Sequence, residues 1–270
     1  MAFPDAHLGD RDGGNSGAQT MSHTVNMPGN IVAGDLLVVL FNAENGEAGS
    51  WPGGWTELHA DEWLVVRHRT ATGGEGASIT VTTSASIGSA HTSYRVSGWN
   101  SIEETANVVG TNSTTPNPPS HTASYGAKDT LWIAGFGEAN GTRSVSTYPS
   151  SYTNGRNDRW NDALGTGIGS AVRQANTATE DPGTFTLSAN DVWHSITIAI
   201  EPSAAGGPTD VTFVDGATAT SVTNTVSIAK ADLAGLSDGD VVVVHLGAHV
   251  SDATGWTLSG WTQADLKNTS

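Results

Sequence analysis

The chain's apolar positions fall into two kinds of pattern. Two runs are apolar almost without interruption, LLVVLF at 36–41 and VVVVHL at 241–246. Such runs are strand-sized and far too short to cross a bilayer. Elsewhere apolar and polar residues alternate: Ile79 and Val81 with Thr and Ser, Phe185 and Leu187 with Thr, and Ile196, Ile198 and Ile200 along a third stretch. That period of two belongs to strands with one buried face.

The strands recur in register. GDLLVVLFNA from Gly34, KDTLWIAGFG from Lys128 and GDVVVVHLGA from Gly239 each open with an Asp at a turn. Each is followed by a turn and an aromatic residue, in PGGWTEL at 52–58, PSSYT at 149–153 and LSGWTQA at 258–264. LVVRHRTATGGEGASITVTTS from Leu64 is answered by SAVRQANTATEDPGTFTLSAN from Ser170, and HTSYRVSGW from His91 by HSITIAIEP from His194. Trp51 and Trp55 are matched by Trp256 and Trp261, so the repeating unit is a pair of copies. The expected fold is all-β, a jelly-roll-like β-sandwich over 1–202 built from two related halves, about 1–113 and 121–202. TTPNPPS at 114–120 separates the halves, because its prolines resist both helix and central strand. A linker at 203–208 then leads to a second, incomplete unit at 209–270. Half a sandwich leaves strand edges open, so either the native chain is expected to continue past Ser270 or a neighbouring subunit is expected to lend strands.

Composition narrows the function. With 11 Lys plus Arg against 27 Asp plus Glu, the net charge is -16, which disfavours nucleic acid and anionic membrane surfaces. The start, MAFPDAHLGDRDGG, has neither a basic region nor an apolar stretch, so no secretory signal is expected. Asn112, Asn140 and Asn268 lie in N-x-S/T triplets, which without such a signal are read as chance. The absence of Cys removes disulfides and thiolate metal sites.

No catalytic motif emerges. H-E-x-x-H is absent. DRDGGN at 10–15 starts like a calcium loop, but its twelfth position is Met21 rather than a bidentate Glu. GTGIGS at 165–170 lacks the Lys and following helix that hold phosphate. The acids Glu44, Glu47, Glu103 and Glu104 carry little weight as a glycosidase pair in so acidic a chain. His91 and His194 fall at matching places and are read as packed strand residues. No catalytic residue, metal or cofactor is therefore assigned.

One segment breaks the repeat. Between Tyr152 and Val172 the second copy holds an inserted loop, NGRNDRWNDALGTG, absent between Trp55 and Val66. Arg156, Asp158, Arg159, Trp160 and Asp162 concentrate planar donors, acids and an aromatic there, a composition suited to contact with a protein partner or a glycan. The repeated aromatics Trp55, Tyr152 and Trp261 are read as plugs of a sandwich core, with exposed platforms for sugar stacking as the alternative.

Together, GDLLVV, PGGWT, VVRHRTATGGEGASITVT, YRVSGW and the closing WHSITIAIEP resemble β-sandwich repeats of structural proteins of tailed bacteriophages and of some bacterial surface proteins. The resemblance covers about 24–202 and resumes from Thr225. It implies a non-enzymatic virion surface protein, a head decoration, head fibre or tail fibre component that contributes to host attachment and is released by lysis. Its implied partners are capsid or tail proteins and further copies of itself, with a host cell-surface glycan as a further candidate; nucleic acid and membrane are not among them. A glycan-binding adhesin module using exposed aromatics is the alternative, and a polysaccharide-cleaving enzyme a third reading.

Overall fold

The chain divides into two units, Met1–Gly207 and Pro208–Ser270. The computed structural model describes residues 2–43 and 49–203, all in the first unit. The incomplete unit expected at 209–270, with Trp256 and Trp261, lies outside the described residues, as do Glu44, Glu47 and most of the linker.

Every regular element among the described residues is a strand. They are β1 (Asp12–Asn15), β2 (Thr20–Asn26), β3 (Leu36–Ala43), β4 (Thr56–Ala60), β5 (Val65–Thr70), β6 (Ser78–Ile87), β7 (Ser89–Val96), β8 (Trp99–Glu104) and β9 (Val108–Ser113). There follow β10 (His121–Thr122), β11 (Lys128–Glu138), β12 (Val145–Thr147), β13 (Thr153–Arg159), β14 (Gly167–Thr177), β15 (Thr179–Glu180), β16 (Thr186–Leu187) and β17 (Asp191–Pro202). The pairings are antiparallel, and the fold is all-β and sandwich-like.

A five-stranded sheet runs β1-β7-β3-β5-β4 and a six-stranded one β13-β14-β11-β17-β8, with β9 also paired to β17. The order β7-β3-β5-β4 of the first sheet matches β17-β11-β14-β13 of the second. Short two-stranded sheets, β2-β6 in the first half and β10-β15 and β12-β16 in the second, complete the set. An isolated bridge between Ser50 and Thr82 stands in the first half where β12-β16 stands in the second.

Three apolar cores separate the layers. The middle one joins Leu36, Val38, Leu40, Val66 and Tyr94 of the first sheet to Leu131, Ile133, Val172, Ile196, Ile198 and Ile200 of the second. The other faces of the same strands fill the outer cores, Leu37, Val39 and Phe41 with Val25 and Val81 on one side. Trp132, Ala134 and Phe136 pack with Phe185 and Leu187 on the other. β3 is therefore buried at every position, as its unbroken apolar run requires. Each fully buried Leu, Ile or Val side chain contributes about 1.5–3 kcal/mol of transfer free energy.

The repeated turns serve these cores. Gly54, at a φ of 88° that a glycine adopts without cost, turns the chain so that Trp55 enters the first outer core, and Tyr152 enters the second. The opening Asp residues fix strand entry: Asp35 accepts from the Val32 amide at 2.8 Å and from Arg95 Nε at 2.5 Å. Asp129 accepts from Asn176 Nδ2 at 2.6 Å.

β8 and β9, which precede the proline-rich junction and count with the first half in sequence, pair with β17 of the second sheet. The first half thus lends strands to the sheet of the second.

Candidate functional site

The segment expected as an inserted loop is instead an edge strand and a tight turn. β13 pairs with β14, Arg156 opposite Ser170 and Asp158 opposite Ile168, after an irregular register between Thr153 and Arg156. Beyond it the Trp160 amide donates to Thr166 O at 3.1 Å and the Gly165 amide to Asp162 O at 3.0 Å. GTGIGS at 165–170 runs from this turn into β14. The strand was not visible in the pattern because N-G-R-N-D-R offers no apolar alternation; its contact positions carry a paired Arg and Asp.

That pair faces the first half. Arg156 Nε and Nη2 donate to both oxygens of Asp158, at 2.9 and 2.7 Å. Asp158 Oδ2 also accepts from Thr92 Oγ1 on β7 at 2.5 Å. A methyl group on Gly13 of β1 would lie 2.5 Å from the Asp158 carboxyl, so only glycine admits this approach. Arg159 Nη1 donates to Gly141 O at 2.7 Å and to Asn161 Oδ1 at 2.6 Å, while its own carbonyl accepts from Asn15 Nδ2 at 3.0 Å. Trp160 is half-buried against Gly88. Of the five residues singled out for partner or glycan contact, Asp162 alone is exposed.

A second polar cluster crosses between the halves at the β4–β5 turn. His59 lies between Asp61, at 2.8 Å, and Glu104 of β8, at 3.3 Å. Asp61 also meets His194 of β17 at 2.8 Å, and its backbone turn is fixed by the Trp63 and Leu64 amides at 3.1 and 2.9 Å. Asn107 Nδ2 donates to Asp61 Oδ2 at 2.5 Å. Burial opposes a charge on His59, but the hydrogen bonds it donates to the two carboxylates outweigh it and raise its pKa to about 9. Burial likewise opposes the charge on Asp61, and the imidazoles hold it below the ordinary carboxylate range. This arrangement ties the β4–β5 turn of the first sheet to β8 and β17 of the second. Sequence reading missed it because 59, 61, 104, 107 and 194 share no spacing signature.

His91 and His194, expected at equivalent places, are not. His91 pairs with Phe41, whose side chain fills the first outer core, and His91 Nε2 accepts the Asn26 amide of β2 at 2.9 Å. His194 pairs with Gly137 and reaches Asp61 in the other half. The physical cause is a one-residue offset between the copies. Leu36, directly after Asp35, faces the middle core, whereas in the second copy Thr130 intervenes and Leu131 takes that role. Burial lowers the His91 pKa to about 4 and keeps the ring neutral.

Glu138, at the end of β11, is fully buried and neither of its carboxyl oxygens has a hydrogen-bond partner. Burial, then the charge of Asp191, raises its pKa to about 9 against the opposing pull of Arg159 and Arg143. Among the described residues no group of three or more His, Asp or Glu side chains is placed to hold a metal ion. Among the described residues no helix is long and apolar enough to cross a membrane.

The chain matches no protein-family model, no curated protein and no solved structure.

Proposed function

We propose that the chain is a non-enzymatic structural protein of the tailed-bacteriophage particle surface, a head decoration, head fibre or tail fibre component assembled from virion proteins and copies of itself. One observation carries the reading: the conspicuous charged clusters of the first unit hold its two halves together. Arg156–Asp158–Thr92 and Glu104–His59–Asp61–His194 both bridge the halves beside a shared apolar core. Side chains engaged in this way suit a stiff spacer better than a cleft that must open to a substrate.

The same packing weighs against the adhesin alternative in the first unit. Trp55 is 9% exposed and Tyr152 6%, and no aromatic residue stands among the exposed large apolar side chains. A stacking platform needs an open ring face. Labelled antibody on intact particles in electron micrographs is expected to decorate the head or tail surface. Absence of the protein from purified particles overturns the reading. Retention of the protein on immobilised capsular polysaccharide would favour the adhesin, and shortening of the glycan an enzyme.

A further inference from the structure

At the end of the second sheet, one carboxylate holds an amine and a carboxamide. Lys128, which begins β11, is the sole lysine in 1–203, where all other strong cations are Arg. Its Nζ pairs with Glu201 Oε1 on β17. From β8, Asn100 Nδ2 donates to Glu201 Oε2 at 2.5 Å, and Ser101 Oγ donates to the same oxygen at 2.7 Å. β17 lies between β11 and β8, so Glu201 receives one group from β11 and two from β8. The Glu201 side chain is 9% exposed and that of Lys128 29%, with the Tyr125 ring 5.4 Å from Nζ.

An ion pair explains Lys128 with Glu201 but leaves the third member unexplained. Amine, carboxamide and a shared proton carrier are together the reactants and catalyst of an amide exchange. We propose that Lys128 and Asn100 form an intramolecular amide bond, with Glu201 as the catalytic residue that carries the protons.

Glu201 takes one proton from the Lys128 ammonium and leaves Nζ with a free electron pair, the general-base step a nucleophilic lysine requires. Nζ then attacks Cγ of Asn100. The Nζ–Cγ bond forms, a second Nζ proton passes to Nδ2, and the Cγ–Nδ2 bond breaks. Ammonia departs with the proton held by Glu201, as ammonium. No oxidant, metal or nucleotide enters the balance. Both reactants are held on one carboxylate, which brings them together; attack itself takes place at about 3–3.5 Å. Burial opposes the charge of Glu201, but hydrogen bonds from Lys128, Ser101 and Asn100 keep its carboxyl below the ordinary range, so it stands ionised beside the ammonium. The product straps β8, lent by the first half, to β11 across β17. The inference stands on this geometry and is independent of the virion reading.

Intact-mass spectrometry of the full chain tests it. The expected mass is about 17 Da, one ammonia, below that of the sequence. Trypsin is expected to leave Lys128 uncut and to release one peptide from Val96 to Arg143 carrying the loss. Lys128→Arg and Glu201→Gln are each expected to restore the sequence mass and to lower the melting temperature by several degrees. A native chain at its sequence mass overturns the proposal without any variant. So does a 17 Da loss with normal cleavage after Lys128, which places the loss in an Asn–Gly ring closure elsewhere. Undiminished cross-linking in Glu201→Gln overturns the role of the carboxylate.

Discussion

At the scale of single residues, the buried acid Glu138 and the buried base His91 set opposite limits on stability. Glu138 has its pKa raised from 4.5 to about 9, so the folded chain keeps a proton that the unfolded chain has released. Its share of stability is full below 4.5 and is lost as pH rises toward about 9, at up to ~1.4 kcal/mol per pH unit. His59, raised from 6.5 to about 9, loses its share over the upper part of that window. His91, lowered from 6.5 to about 4, has the opposite sign: its stability is present above 6.5 and lost as pH falls toward about 4. Melting temperatures are therefore expected to fall from mildly acidic to alkaline pH, and Glu138→Gln, which keeps the shape and removes the titration, to flatten that fall. An unchanged slope in the variant would rule out Glu138 as the cause. None of this was legible in the sequence, where Glu138 is one acid among 27. The repeat itself misled at this scale: aligning the copies on Asp35 and Asp129 reverses inside and outside, because a strand turns its side chains over with every residue.

Individual elements were legible wherever burial left an apolar signature. β3 announced itself by its unbroken run, β17 by its alternating Ile residues, and the turn before Trp55 by Pro and Gly. β13, β8 and β9 did not, since their partners are polar groups or strands distant in sequence. Two changes probe elements of both kinds. Trp55, 5.5 Å from Trp51 by ring centroids and beneath the Arg69 guanidinium, plugs the first outer core. Trp55→Ala is expected to cost about 3–5 kcal/mol in chemical denaturation, as a large-to-small core change. Gly137 of β11 touches the β4–β5 turn, and a methyl group there would sit 1.8 Å from the Trp63 carbonyl oxygen. Backbone cannot yield as a flexible side chain can. Gly137→Ala is expected to destabilise by several kcal/mol, in the range of overpacked cores or above it; a variant with wild-type denaturation would mean that the two halves do not meet there.

Over the whole first unit, three cores but only two main sheets make the middle core common property. Leu36, Val38 and Leu40 on one side and Leu131, Ile133 and Ile198 on the other are buried only while both sheets are formed. Neither half alone can hide that face, and the second also needs β8 and β9 from the first to complete its sheet. Two-state behaviour follows when neither part is stable without the other. Leu40 makes the coupling measurable. It fills the space left by Gly135 of β11, where a methyl group would lie 2.5 Å from its Cδ2, so its side chain belongs physically to both halves. Leu40→Ala is expected to cost about 2–5 kcal/mol. It should lower by the same amount the denaturation midpoint read from first-half amides, such as those of Val25 and Val81, and from second-half amides, such as those of Phe136 and Phe185. Residue-resolved NMR across a denaturant series separates the outcomes. Coincident shifts support one cooperative unit stiffened through its centre, whereas a shift confined to the first half would show two modules that merely touch.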